Sequence, residues 1–568
     1  MPFPLDEPLP RDWWASAVVY QIYPRSFVDS DGDGIGDLRG ILRRLDHLEH
    51  LGVDVVWLSP VYRSPQDDNG YDISDYQDLD PTFGTLEDLD ELVEQLHARG
   101  IRLVMDLVVN HTSDEHPWFE ESRSSPRSSR RDWYWWRPPR AGRTGGEPGA
   151  EPNDWRSFFS GPAWEWDAAS GEYYLHLFSR KQPDLNWENP QVREAVYAMM
   201  RWWLERGVDG FRMDVINLVS KPLDLPDGNA FALVADGPRM HEFLAQMREE
   251  VFADHPRAFL TVGEMPGVTV EEARLYTDAS RGEVDMVFQF EHVDLGIGPG
   301  GKFDRVPVTM SMLRESLMGW QTALADTGWN SLYWDNHDQP RAVSRFGDDD
   351  PAWRERSAKT LATVLHTLRG TPFIYQGEEL GMTNLPFAEL TELRDIEALN
   401  HVAEQEGSGV GFADLLEGLR AVGRDNARTP VQWTDGPGAG FTSGEPWIGI
   451  NPNHTQINAA TQTGRPGSVL EHHRALVGLR HEEEVVARGT VRPLAMDHPD
   501  LWAFERELDG VRMLTLASFT RAPLDVPAAL LEGWREAEVV LATSDEAAAG
   551  VLDDGALPGW ESVVLRRR

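Results

Sequence analysis

Arg212 and Asp214 occupy alternate positions of a short apolar run, Gly210-Phe-Arg-Met-Asp-Val215. Alternate side chains of an extended strand share a face, so the guanidinium and the carboxylate are neighbours. An ion pair in an apolar strand costs free energy unless it has a partner or a task. Alone, the pair is better read as a buried structural salt bridge. Its company changes that reading. Asp106-Leu-Val-Val-Asn110-His111, Gly263-Glu264 and Asn336-His337-Asp338 each stand at or just past the end of another apolar run, and Tyr23-Pro24-Arg25 closes an earlier one. A lone Glu after a strand is usually a helix cap or a surface acid. Carboxylates, histidines and an arginine gathered on one rim are hard to explain as stability. With no cysteine in the chain and no serine-nucleophile motif, paired carboxylates point to glycoside cleavage.

Such a rim needs strands that all end on one side. Val18 to Tyr23, Val53 to Leu58, Leu103 to Val109, Gly210 to Val215, Phe259 to Val262, Met286 to Phe290, Ser331 to Trp334 and Pro372 to Tyr375 read as buried strands. Amphipathic helices lie between them: Leu38, Ile41, Leu45 and Leu48 recur at helical spacing, as do Leu86, Leu89, Val93 and Leu96. Eight strands alternating with helices predict an α/β fold, a (β/α)8 TIM barrel, whose active site forms at the C-terminal ends of the strands.

The long connection after the third strand predicts a loop-rich inserted subdomain at 110–177. Its arginines beside Trp133, Tyr134, Trp135 and Trp136 resemble a nucleic-acid surface, but the balance of charge argues otherwise. The barrel is expected over 1–109 and 178–485, with a second long insertion at about 384–452 and a last helix over Leu470 to Leu479. Beyond it, Leu501 to Arg506, Val511 to Ser518, Ala537 to Ala542 and Ser562 to Leu565 predict a C-terminal antiparallel β-sandwich over 486–568.

Against 94 acidic residues stand 53 basic ones, a net charge of −41, which repels phosphate backbones and makes nucleic acid an unsuitable partner. The stretch Met1 to Trp14 has neither the basic nor the apolar region of a signal peptide, and no apolar run reaches the length of a membrane span. These features predict a cytoplasmic enzyme, monomeric or homodimeric, with no membrane partner.

Taken together, the motifs of Asp106 to His111, Gly210 to Asp214, Gly263-Glu264 and Asn336 to Asp338 resemble, in order, the four signatures of the α-amylase family of glycoside hydrolases. Gln182-Pro-Asp-Leu-Asn186 is similar to a further signature of its oligo-1,6-glucosidase and α-glucosidase branch. Tyr20-Gln-Ile-Tyr-Pro-Arg25, Asp68-Asn-Gly-Tyr71-Asp72 and Arg428-Thr-Pro-Val-Gln-Trp433 extend the resemblance over nearly the whole chain.

The resemblance implies a retaining exo-acting α-glucosidase of short α-glucosides. Asp214 would be the nucleophile, with its proton affinity lowered by Arg212. Glu264 would be the general acid, then base, and Asp338 the stabiliser of the oxocarbenium-like transition state. His111 and His337 would bind sugar hydroxyls. Asp68 and Arg428 would pair to close the pocket behind the non-reducing sugar, with Tyr71 stacked under it. Phe159, Phe178 and Phe290 are candidate walls, though each suits core packing equally. Val215, next to the nucleophile, accompanies α-1,6 preference in that branch; Thr there accompanies α-1,4 preference. Asp335 departs from the branch, which often has Asn at that position.

Asp29-Ser-Asp31-Gly-Asp33-Gly-Ile35-Gly-Asp37 places four carboxylates at alternate positions, enough oxygens for a hard cation. Gly40 stands where an EF-hand needs an acid. The resemblance implies a structural calcium loop using these Asp side chains and the Ile35 carbonyl, with Mg2+ as the alternative ion.

Other readings are an α-1,4-preferring maltase, and a transglucosylase or sucrose isomerase. Sucrose isomerases carry an Arg/Asp-rich stretch after the Asp338 motif, where this chain has Gln339-Pro-Arg-Ala-Val-Ser-Arg-Phe346. A non-enzymatic relative, the heavy chain of amino-acid transporters, would need a membrane span and would lack the three acids.

Overall fold

The eight apolar runs form one parallel sheet: β1 (Val19–Ile22), β2 (Val55–Leu58), β3 (Arg102–Leu107), β4 (Gly210–Met213), β5 (Leu260–Glu264), β6 (Met286–Phe288), β7 (Ser331–Leu332) and β8 (Thr371–Tyr375). This computed structural model describes residues 10, 12–253, 255, 257 and 259–568. Most of the amino-terminal stretch expected to lack a signal peptide, residues 1–9 and 11, lies outside the described residues. Neighbouring strands pair in sequence order from β1 to β6, and β7 pairs with β8, which pairs with β1. A bridge between Val287 and Asn330 joins β6 to the start of β7. The sheet thus closes as the expected barrel.

Both faces of the sheet are covered, which is why the strands read as continuous apolar runs. Val19, Val55, Trp57, Val104, Val262, Phe288 and Phe373 pack together inside the barrel. The alternate residues Tyr20, Val56, Leu103, Met105, Phe211 and Met213 join the helices in the largest core. At Gly210, φ is 148°, and an added Cβ would meet the Leu260 carbonyl oxygen at 1.9 Å. β4 can therefore approach β5 there only as glycine.

The helices start and stop where local chemistry favours it. Thr85 and Asp88 form a capping box for α1 (Leu86–His97). Asn189 caps α2 (Pro190–Arg206), which has Pro at its first position and a left-handed Gly207 at its end. That geometry delivers the chain directly into β4.

The insertion after β3 holds a small antiparallel sheet of Trp136–Arg137, Glu172–Leu175 and Trp164–Asp167. Trp133, Tyr134, Trp135 and Trp136 are buried in it, and Arg131 lies 3.5 Å from the Trp136 ring centroid. The Arg-aromatic run is core packing. Past β8, beyond α3 (Arg354–Thr367), which precedes that strand, the second insertion folds as α4 (Ile396–Gly407), α5 (Phe412–Val422) and a tight turn at Arg424–Asn426. The chain returns through α6 (Val469–Glu482).

At the C-terminus, β9 (Thr490–Leu494), β10 (Leu501–Leu508), β11 (Val511–Ser518), β12 (Glu538–Ala542) and β13 (Ser562–Arg567) form a sheet in the order β9-β10-β11-β13-β12. One face packs Trp502, Phe504 and Ala517 on Leu361 and Leu365 of α3. The other, with Leu514, Leu516 and Val563, is covered by Leu531, Trp534, Val551 and Leu557. A two-stranded ribbon, Leu524–Asp525 with Ala556–Leu557, contributes to that cover. β9 escaped the sequence reading because it contains Pro493, which sheets tolerate at an edge such as this one. Among the described residues no helix is long and apolar enough to cross a membrane.

Candidate active site

The site grows out of the barrel core. Trp57 packs between Phe288 and Phe373 and donates its indole N–H to Asp106 Oδ2 at 2.8 Å. Asp106 Oδ1 accepts from Arg212 Nη1 at 2.6 Å, and the same Nη1 reaches Asp214 Oδ1 at 2.7 Å. Arg212 Nη2 lies 2.5 Å from Glu264 Oε1. One buried guanidinium, 5.0 Å above the Trp57 ring, therefore fixes three carboxyls from the ends of β3, β4 and β5. Its fork geometry suits this task, and the lysine ammonium does not.

The three candidate catalytic acids differ in proton affinity. Burial raises Asp214 to about 6, with Arg212 opposing the rise and Asp106 adding to it. Arg212 thus acts in the expected direction, but burial outweighs it. Burial also pushes Glu264 up to about 8; Arg212 opposes and Asp214 and Asp338 contribute. Burial works against Asp338 too, yet His337, Arg424 and Arg428 more than offset it and hold this carboxyl well below the usual range. Asp214 and Glu264 share the Arg212 guanidinium, which sets the two carboxyls side by side as a retaining mechanism requires.

Val215 adopts a left-handed backbone, φ 34° and ψ 41°. For a β-branched residue this costs about 1–3 kcal/mol. The conformation aims its N–H at Glu264 Oε2, 3.1 Å away, and places its side chain in the cavity wall.

Asp214, Glu264 and Asp338 open into a cavity of about 340 Å³, the size of a small-molecule site. Asp68, Tyr71, His111 and Phe178 line it, as do Phe159 and Phe290. Arg212, His337 and Arg428 lie directly behind, each at most 1% exposed. His337 is sandwiched between Tyr71 at 5.1 Å and Tyr23 at 6.0 Å. Its Nδ1 meets the Gln21 amide at 2.8 Å, and among the described residues its Nε2 makes no hydrogen bond of normal geometry. Burial lowers His337 to about 3, so the neutral ring carries its proton on Nε2, which stands 3.4 Å from Asp338 Oδ2. His111, lowered by burial to about 4, instead turns Nε2 to the Tyr71 carbonyl at 3.1 Å.

The expected pairing of Asp68 with Arg428 is corrected. Arg424 Nη2 meets Asp68 Oδ1 at 3.1 Å and Asp395 Oδ1 at 2.6 Å. Arg428, four residues on, places Nη2 2.6 Å from Asp338 Oδ1 and Nε 3.2 Å from the His337 carbonyl. The tight turn at Arg424–Asn426 presents one arginine to the cavity, and the other lies behind Asp338. Gln182, part of a motif singled out in the sequence but not as a site residue, donates to Asp68 Oδ2 at 3.2 Å.

Sequence reasoning also missed Phe158 and Phe231, which are in contact with each other, and Lys302, 2.6 Å from Glu397. All line the cavity. Phe231 and Lys302 come from connections after β4 and β6 with no motif of their own. Phe158 stands beside the candidate Phe159 in Ser157-Phe-Phe-Ser160, and that adjacency was the one available signal.

In the acidic loop, carboxylate oxygens of Asp29, Asp31 and Asp37 lie within 4.8 Å of one another. Asp33 stands outside that cluster and accepts the Ile35 N–H at 2.8 Å. Asp37 Oδ1 also caps a short helix through Gly40 N at 2.6 Å.

Residues 21–489 match the family model for the α-amylase catalytic domain. The chain belongs to the α-amylase family of glycoside hydrolases. Within it, the chain is 52% identical over 570 residues to an oligo-1,6-glucosidase of Parageobacillus thermoglucosidasius, covering 98% of this chain and 99% of the relative. It is 47% identical to a trehalose-6-phosphate hydrolase of Bacillus subtilis, covering 98% of each. Among solved structures, an isomaltulose synthase from Klebsiella sp. LX3 superposes with a TM-score of 0.92 at 42% identity, covering 98% of this chain and 99% of that one.

Proposed function

We propose that this enzyme is a retaining, exo-acting α-glucosidase that removes glucose from the non-reducing end of short α-glucosides, with preference for α-1,6 linkages. The observation that carries the reading is one cavity lined by three acids of graded proton affinity. Asp214, ionised above about 6, attacks the anomeric carbon and forms a glucosyl ester. Glu264, protonated below about 8, gives its proton to the leaving oxygen and then accepts one from water. Asp338, ionised throughout the working range, balances positive charge developing on the sugar ring.

Asp68 and Arg424 pair in the cavity wall, which supports chain-end attack. The resemblance to an oligo-1,6-glucosidase and Val215 beside the nucleophile support the linkage. The test is incubation with isomaltose, maltose, sucrose and trehalose, measuring glucose against new disaccharides. Glucose from isomaltose at the highest kcat/KM supports the reading. Conversion of sucrose into an isomer without net hydrolysis would replace it with the isomerase reading.

The convergent oxygens of Asp29, Asp31 and Asp37 fit a hard cation. They support a structural calcium site, with magnesium as the alternative, that braces the loop after β1 against the second insertion, where Thr442 Oγ1 hydrogen-bonds to Asp29. A cytoplasmic enzyme working as monomer or homodimer completes the reading.

A further inference from the structure

Asp335 stands just before the Asn336-His337-Asp338 turn, and Glu378 lies three residues past β8. Both are buried, at 2% and 8% exposure, and both line a small cavity walled by Trp334, Val343, Leu361 and Met382. Asp335 Oδ2 accepts the Ala342 N–H at 2.8 Å. This bond clasps the loop 335–342, inside which Asn336 Oδ1 accepts the Asp338 N–H at 2.8 Å. Asp335 Oδ1 and both carboxyl oxygens of Glu378 have no donor at normal hydrogen-bond geometry among the described residues. The two carboxyls are within hydrogen-bonding reach of each other.

Among the described residues no compensating charge stands at contact distance, although Arg341 opposes the rise of both carboxyls from further off. The groups facing the pair are Arg341, Arg345, Glu379, His473 and, behind it, His366. Arg341 spends its guanidinium on the carbonyls of Gln376 at 2.6 Å and Ala427 at 2.9 Å. Arg345 spends its own on Gln339 and the Val293 carbonyl. Glu379 is held by the Tyr20 hydroxyl and His47, each at 2.9 Å. His473 donates Nδ1–H to the Val469 carbonyl at 3.1 Å, which leaves Nε2 as a bare acceptor, 3.8 Å from Glu378. Its neighbour His366 stands edge-on at 5.8 Å. Two adjacent buried carboxyls in such a setting cannot both ionise.

We propose that Asp335 and Glu378 share one proton, and that the resulting carboxylic acid–carboxylate bond pins the loop carrying Asp338 to the segment after β8. Both acids are positioning residues, acting through Asp338. Burial pushes Glu378 up to about 8. It pushes Asp335 well above the usual range, and the Glu378 charge adds to that rise.

The kinetic arm of the test rests on the α-glucosidase reading; the spectroscopic arm does not. α-Glucosyl fluoride, whose leaving group needs no proton, removes the demand on Glu264 as acid. With it, the parent is expected to lose about tenfold in kcat between pH 7 and pH 9 as the shared proton leaves. Asp335→Asn, whose amide donates to Glu378 without titrating, should keep kcat within about threefold of the parent at pH 7 and stay flat to pH 9. Asp335→Ala should lower kcat by about tenfold or more with KM within about twofold. An infrared spectrum of the parent minus Asp335→Asn at pH 7 should show a carboxylic-acid carbonyl band, whether or not any sugar is turned over. Absence of that band, an alkaline loss shared by parent and Asp335→Asn, or an Asp335→Ala variant with parental kcat would each overturn the proposal.

Discussion

Asp214, Glu264 and Asp338 meet at one cavity with three different proton affinities, and each difference has a local cause. Asp214 and Glu264 sit on a single guanidinium, so neither has it to itself, and burial raises both. Asp338 has two arginines, at 2.6 and 3.5 Å, and stays acidic. The consequence is a pH window. kcat/KM for isomaltose should rise through about 6 as Asp214 ionises and fall through about 8 as Glu264 loses its proton. Glu264→Gln should lower kcat/KM for isomaltose about 10²–10⁴-fold and, in an Asp335→Asn background, abolish the alkaline limb; a limb unchanged in that double variant would assign it to another group. Val215→Thr keeps the β-branched shape and adds a hydroxyl to the cavity wall. It should raise maltose hydrolysis relative to isomaltose, and an unchanged ratio would refute the steric account. At this scale, motif residues were legible because chemistry restricts their types: Arg212, Asp214, Glu264 and Asp338 all gather at one place. Arg424 was not legible, since Arg424 and Arg428 are the same residue type one turn apart, and only the tertiary path decides which of them meets Asp68.

The elements that hold these residues were readable to the extent that burial shaped them. Barrel strands covered on both faces betray themselves as apolar runs, and all eight are where those runs lie, with ends differing by a few residues. Short paired segments such as Leu524–Asp525 and Ala556–Leu557 carry too few residues for any periodicity. Gly210 shows how tightly the catalytic strand is fitted: Gly210→Ala would drive a methyl into the β5 backbone. Its expected outcome is loss of soluble, active protein, measured by expression and circular dichroism. The acidic loop after β1 makes its own prediction. Adding Ca2+ to chelator-treated enzyme should raise the unfolding temperature by several degrees at about 100 times Kd. Asp29→Asn should abolish the rise and leave kcat near the parental value. No rise with either Ca2+ or Mg2+ would mean that the loop stands by its own hydrogen bonds.

At the scale of the whole molecule, the barrel supplies the floor of the cavity and the insertions supply its walls. Phe158, Phe159 and Phe178 come from the segment after β3, and Arg424 and Glu397 from the segment after β8. Loop-borne walls on a rigid barrel let one scaffold serve many linkages, which is why family and reaction class were legible, and Phe159, Phe178 and Phe290 with them, while Phe158, Phe231 and Lys302 were not. The chain carries a net charge of −41, and the arginines that matter, Arg212, Arg424 and Arg428, are buried with acids. The central claim is a covalent glucosyl ester on Asp214, and mass spectrometry tests it directly. Glu264→Gln enzyme, quenched in acid during reaction with α-glucosyl fluoride and digested, should yield the peptide containing Asp214 with one added glucosyl group. An unmodified Asp214 peptide, together with β-glucose as the first product of the parent enzyme, would contradict the account.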